Sequence, residues 1–284
     1  MSRRVQIVFA VMGWVLIAAL IVATTLLRKA YEQELVVDRI EVKVADADRL
    51  GFVTPEGIVD YLDKSGLNPV GQRPTRQMTS EIDSAVERYN FVESSKTYFD
   101  YGGTVTVELT QRQPIMRVFA DSGKEFYLTD NRYVLPVGGS APHLLVVTGS
   151  IDRPFGNNFF GNLDQYAAEN EKKSDKNYLF ICKLIKFVDW LQTDRYWRNR
   201  IAQIVILPKA NDGQESEILI APNDGDYTIL LGTIDGYREK LSRFRAYAEA
   251  GLTADGQQVV VKYRGQVVRR TINSQTQTKN NNIL

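Results

Sequence analysis

Two neighbouring stretches decide how this chain folds: LVVDRIEVKV, Leu35 to Val44, and TPEGIVDYL, Thr54 to Leu62. In the first, Val37, Arg39, Glu41 and Lys43 alternate with Ile40, Val42 and Val44, the period of a half-buried strand. In the second, Thr54 offers the side-chain oxygen of an N-cap, and Pro55 suits the first helical position. Ile58, Val59, Tyr61 and Leu62 give that helix an apolar face, and Gly66 stops it. A second helix is expected over Thr79–Tyr89, with Ile82, Ala85, Val86 and Tyr89 on one side. Ser95–Tyr101 and Thr104–Leu109 read as strands joined by Gly102-Gly103, a link of hairpin type. Strand, helix, helix, strand, strand makes a compact α+β module with a small core of its own.

Upstream, MSRR precedes VQIVFAVMGWVLIAALIVATTLL, Val5 to Leu27, and Arg28-Lys29 follow. The run carries no charge and, as a helix, spans roughly 35 Å, enough for a bilayer core. It is longer than the apolar core of a signal peptide, so an uncleaved anchor is expected. Arg3 and Arg4 balance Arg28 and Lys29, so charge alone does not orient it. Gly13 with Ala18 or Ala19 would allow close approach to a neighbouring span, without GxxxG spacing.

Downstream of Gln111 the pattern becomes mostly β. Strand-like runs fall at Ile115–Phe119, Glu125–Leu128, Val134–Pro136 and Leu144–Val147, then at Ile201–Leu207, Glu217–Ala221 and Asp226–Leu231. Asp164–Asp194 is expected to be mostly helical, with Leu179, Cys182, Leu184, Ile185, Val188 and Leu191 on its buried face. A helix over Tyr237–Ala250 ends at Gly251. The stretch QQVVVKYRGQVVRR, Gln257 to Arg270, reads as a strand pair at an open sheet edge beside a polar tail, a place that proteins usually blunt.

Chemistry is hard to find. The chain has 284 residues and a formal net charge of +1, which gives no bulk field for nucleic acid. The lone His143 has no second His to share a metal with, and Cys182 sits on an apolar helical face. No glycine-rich phosphate loop and no G-x-S-x-G elbow is present. Neither an enzyme nor a cofactor is implied.

The order of parts resembles the FtsQ/DivIB family of bacterial cell-division proteins, over about Val5 to Arg270. VDRIEVKV with TPEGIVDYL resembles the family's POTRA domain, and VTVELTQRQPIMRVF, Val105–Phe119, its exit strand. FYLTDNRYVLPV, LLVVTG, ILLGTIDGYREKLSRF and VVVKYRGQVVRR follow in family order. The resemblance implies a fold of class α+β. A single N-terminal transmembrane helix leads to a POTRA-like domain (β-α-α-β-β), then to a mixed antiparallel β domain with covering helices. The expected boundaries are a cytoplasmic tail at 1–4, the span at 5–27, a linker at 28–34, the POTRA-like domain at 35–110, the β domain at 111–270 and a polar tail at 271–284.

The resemblance further implies a noncatalytic scaffold at the division septum, in the cytoplasmic membrane, with the N-terminus inside and the bulk outside. Its partners would be the small single-span coiled-coil proteins FtsB and FtsL, other divisome membrane proteins and, through them, septal wall synthesis. In the family the terminal strands receive a partner segment by strand addition. The matching residues here are Val259, Val261, Lys262, Tyr263 and Arg264, followed by Gln266, Val267 and Val268. From the residues alone, an inward Tyr263 and edge-blunting basic side chains are the plainer reading; the resemblance reverses that preference. A weaker expectation places a further contact on the exposed strand Lys96–Tyr101. Two rivals remain: an anchored POTRA-type scaffold of another envelope assembly or secretion complex, and an anchored cell-wall enzyme.

Overall fold

The computed structural model describes residues 12–26, 36–100, 102–138, 144–156, 158–211 and 214–271. The expected cytoplasmic tail, the whole of the expected linker, His143 and all but the first residue of the polar tail lie outside them. So do both ends of the expected span. Its middle, 12–26, is helical (α1), with side chains exposed throughout. Among the described residues no helix is long and apolar enough to cross a membrane.

The chain separates into two compact units, with the main break after Gln111. The first holds β1 (Arg39–Val44), α3 (Pro55–Lys64), α4 (Arg76–Val86), β2 (Val92–Phe99) and β3 (Thr104–Gln111); a short α2 (Ala47–Leu50) follows β1. Its sheet runs β1-β3-β2, with β1 parallel and β2 antiparallel to β3. Ile58, Leu62, Ile82, Ala85 and Val86 of the helices are buried, as are Val105, Val107 and Leu109 of β3. Local chemistry sets the boundaries. Thr54 Oγ1 accepts the Gly57 N–H at 3.1 Å, and Gly66, with φ +69°, turns the chain out of α3. The second helix starts three residues before the expected Thr79 because Thr75 caps it, accepting the Met78 N–H at 3.1 Å. It ends at Val86, which leaves Tyr89 beyond it. In the Gly102-Gly103 turn, Asp100 Oδ1 accepts N–H groups from Gly102 and Thr104.

The second unit is built on one ten-stranded sheet, in the order β13-β12-β11-β10-β9-β7-β4-β5-β6-β8. Its strands are β4 (Pro114–Ala120), β5 (Lys124–Thr129), β6 (Tyr133–Leu135), β7 (Leu145–Gly149), β8 (Gly161–Asn162), β9 (Ile201–Ile206), β10 (Ile218–Pro222), β11 (Tyr227–Gly232), β12 (Gln257–Val260) and β13 (Val268–Thr271). The helices are α5 (Leu163–Glu169), α6 (Lys176–Thr193) and α7 (Tyr237–Glu249). The expected antiparallel character is only part of the sheet, because β4–β7, β7–β9 and β11–β12 are parallel. A parallel pair needs a long crossover; α5 and α6 lie between β7 and β9, and α7 between β11 and β12. The core joins Ile181, Leu184, Phe187 and Val188 of α6 and Leu241 and Phe244 of α7 to Met116, Val118, Ile204, Ile220, Ile229 and Val259 of the strands.

Helix α6 corrects one expectation. Leu179 is 44% exposed and Cys182 only half-buried, whereas Tyr178, Ile181 and Phe187 are buried with Leu184, Ile185, Val188 and Leu191. Apolar residues surround much of this helix, so periodicity alone left its rotation open.

Gly149 ends β7 at φ +105°, where a Cβ would run into the Ile206 carbonyl oxygen. Gly149→Ala should therefore cost at least about 3 kcal/mol, from backbone strain and steric conflict together. Gly123→Ala should cost only about 1 kcal/mol, since φ is +71° there but the space is open. Denaturant midpoints of the two variants check the difference; equal costs would show that the β7–β9 approach is not tight.

Candidate functional site

The end of the large sheet is where the expected partner residues fall. β11 leads through α7 into β12, and a bend carries the chain into β13. β12 is paired on both sides, parallel to β11 (Ile229↔Val259) and antiparallel to β13 (Val260↔Val268). Among the described residues the open edge at this end of the sheet is β13, the second strand of the Gln257–Arg270 stretch in which an edge was expected, and β12 is interior. The difference between the two strands lies in pairing: Val268–Thr271 has one neighbour, and Gln257–Val260 has two.

The eight residues divide accordingly. Val259 and Val261 are fully buried and belong to the core, so their side chains do not meet a partner from solvent. Lys262 is half-buried, with Nζ 2.8 Å from Glu217 Oε1 and 5.5 Å from the centre of the Tyr263 ring. Tyr263 is 43% exposed. It lies in the bend rather than in a strand, and Arg264 and Gln266 beside it are exposed. Val267 and Val268 are half-buried, Val268 opening the edge strand. Exposed Arg269 and Arg270 continue that strand, making no ion pair among the described residues.

Residues missed by the sequence reading hold this arrangement. Arg243 of α7 donates from Nη2 to the carbonyl oxygens of Val261 at 3.0 Å and Tyr263 at 3.2 Å. Its Nη1 pairs with Glu239 at 2.7 Å. The crossover helix therefore holds the bend through main-chain acceptors, and charge-assisted bonds of this kind are stronger than neutral ones. Gly232, φ +73°, lets the chain after β12 pass close by: a Cβ there would lie 2.5 Å from Lys262 Cβ. The Leu231-Gly232 pair was visible in sequence as a pattern; what required glycine was the passage of Lys262.

The densest polar cluster elsewhere is structural. Arg132, in the left-handed region at φ +62°, pairs through Nη1 with Asp164 at 2.8 Å. Tyr178 donates its hydroxyl to the same carboxylate at 2.8 Å. Burial first, then Asp164, pushes the Tyr178 phenol up to about 12. Burial also raises the Cys182 thiol, opposite to the shift that activates a nucleophile. Among the described residues no group of His, Cys, Asp and Glu is placed to hold a metal.

Arg243→Ala should destabilise the protein by about 1–3 kcal/mol and speed amide exchange over 257–271; unchanged exchange there would mean that the bend does not depend on α7. Cys182 should react with iodoacetamide at pH 8 more slowly in the folded chain than in urea, because burial holds it as a thiol. Equal rates would contradict that shift.

Residues 113–269 match the family described as FtsQ/DivIB, C-terminal related, and residues 35–110 match the POTRA-like domain. No curated protein matches the chain.

Proposed function

The chain belongs to the FtsQ/DivIB family of cell-division proteins, and from that premise we propose that it is a noncatalytic membrane scaffold of the divisome. It binds its partner by strand addition at β13. Main-chain groups of the open edge supply affinity, and alternate side chains supply register. The observation that carries this reading is the pairing: β13 has a single neighbour, and the exposed Tyr263 stands at its approach. An exposed tyrosine offers a large apolar body with a polar tip, the makeup of an interface anchor.

Lys262 is occupied by Glu217, so the cations that would meet an acidic partner are Arg264, Arg269 and Arg270. Rim charges of this kind act on encounter more than on lifetime. The partner proposed is an FtsB/FtsL-like single-span coiled-coil protein, and the place is the septum. A membrane anchor over 5–27 is proposed with it. Supporting the anchor is α1, whose Trp14, Leu16 and Leu20 are all more than half exposed, an apolar surface in need of a nonaqueous neighbour. The bulk of the chain would then stand outside the cytoplasm.

Tyr263→Ala should weaken partner binding about tenfold while moving the melting temperature by no more than about 2 °C. In-cell photocrosslinking from position 263 should capture a small single-span coiled-coil division protein. Capture of an outer-membrane or secretion component instead would sink this reading in favour of another envelope scaffold, and a large loss of melting temperature would show that Tyr263 is core.

A further inference from the structure

A groove runs along the solvent side of α6, and none of its lining residues belongs to the terminal bend or to β13. Lys176, Leu179, Lys183 and Lys186 follow at intervals of three, four and three residues, which places them on one face of the helix. Across from them, Asp152 after β7 and Lys209 and Glu215 between β9 and β10 help to enclose a cavity of about 410 Å³. Apolar surface lies within it: Leu179 is among the large exposed hydrophobic residues, and Phe180 is half-buried beside it.

The charges around the groove are unequal. Four lysines line it against two carboxylates, and both carboxylates are taken: Asp152 pairs with Lys209 at 2.9 Å and Glu215 with Lys183 at 2.9 Å. Lys183 also reaches Asp235 at 3.0 Å. Lys176 and Lys186 make no ion pair among the described residues and lie at the two ends of the stripe. At 1.5 Å per residue they stand roughly 15 Å apart along the helix. A small amphiphile carries its charge at one end and can satisfy only one of them. A chain whose carboxylates recur along its length can reach both while an apolar side chain drops onto Leu179.

We propose that this groove is a second docking site, separate from the β13 edge, that takes a linear acidic segment of a partner protein bearing one or two large apolar side chains. The proposal rests on the scaffold reading only in expecting a protein as the ligand.

The test uses the full chain and three labelled peptides of ~18 residues, long enough for several helical turns: one of Leu and Glu in amphipathic order, one of Leu and Lys, and one of Glu and Ser. Anisotropy should show the Leu/Glu peptide binding at least about tenfold tighter than the others, with affinity falling as salt is raised. The double variant Lys176→Glu/Lys186→Glu should lose about tenfold or more, and Leu179→Ser about fivefold, both at unchanged melting temperature. Should the double variant fail to fold, Lys176→Gln/Lys186→Gln replaces it with the same expected direction. Tyr263→Ala should bind this peptide like the parent, which separates failure here from failure at the edge. Equal binding of the Glu/Ser or Leu/Lys peptide, insensitivity to the lysine variants, or displacement by dodecyl phosphate at lower concentration than by the unlabelled peptide would each overturn the proposal.

Discussion

The parallel pairing of β11 with β12 is the constraint from which the working end of the sheet follows. Two parallel neighbours cannot be joined by a tight turn, so the chain must travel back along the sheet, and α7 is that return. Its inner face supplies Leu241 and Phe244 to the core. Its flank supplies Arg243, which reaches the main chain where β12 ends. Once β12 is fixed between β11 and a returning strand, that last strand has a neighbour on one side only. The open edge is a result of topology rather than of any unusual residue within it.

Two kinds of cation stand around that edge, and geometry separates them. Lys262 is consumed by Glu217 and lies against the Tyr263 ring, so it positions the bend. Arg264, Arg269 and Arg270 are exposed. A surface pair such as Lys262–Glu217 contributes little to overall stability; its use here is to fix where an aromatic side chain stands.

Much of this was legible in the sequence where the cause was local. Thr54, Pro55 and Gly66 begin and end a helix by their own chemistry, and the alternation from Val37 to Val44 needed no distant partner. Even there, a helix expected from Thr79 starts earlier, because Thr75 caps α4. What was not legible is nonlocal. Whether Val259 lies at an edge or inside a sheet depends on a strand that begins only at Val268, and its burial says nothing about its neighbours until pairing is known. Lys262 reads as free because Glu217 is far away in sequence. Leu179 reads as core because α6 carries apolar residues around most of its circumference, and only the packed helix shows which of them face water.

The order in which the large sheet is assembled adds a temporal meaning to its edge. Among the described residues β13 is the last element in the chain, and it covers a strand whose Val259 and Val260 are buried. A chain interrupted before Val268 would keep most of its core yet lack the intended edge, and would present β12 in its place, richer in valine and without the flanking arginines. Such an edge is a template for indiscriminate association. The final strand therefore acts as a completion mark: the surface proposed for the partner exists only when synthesis has run through it, and its absence leaves a surface of a different and stickier kind.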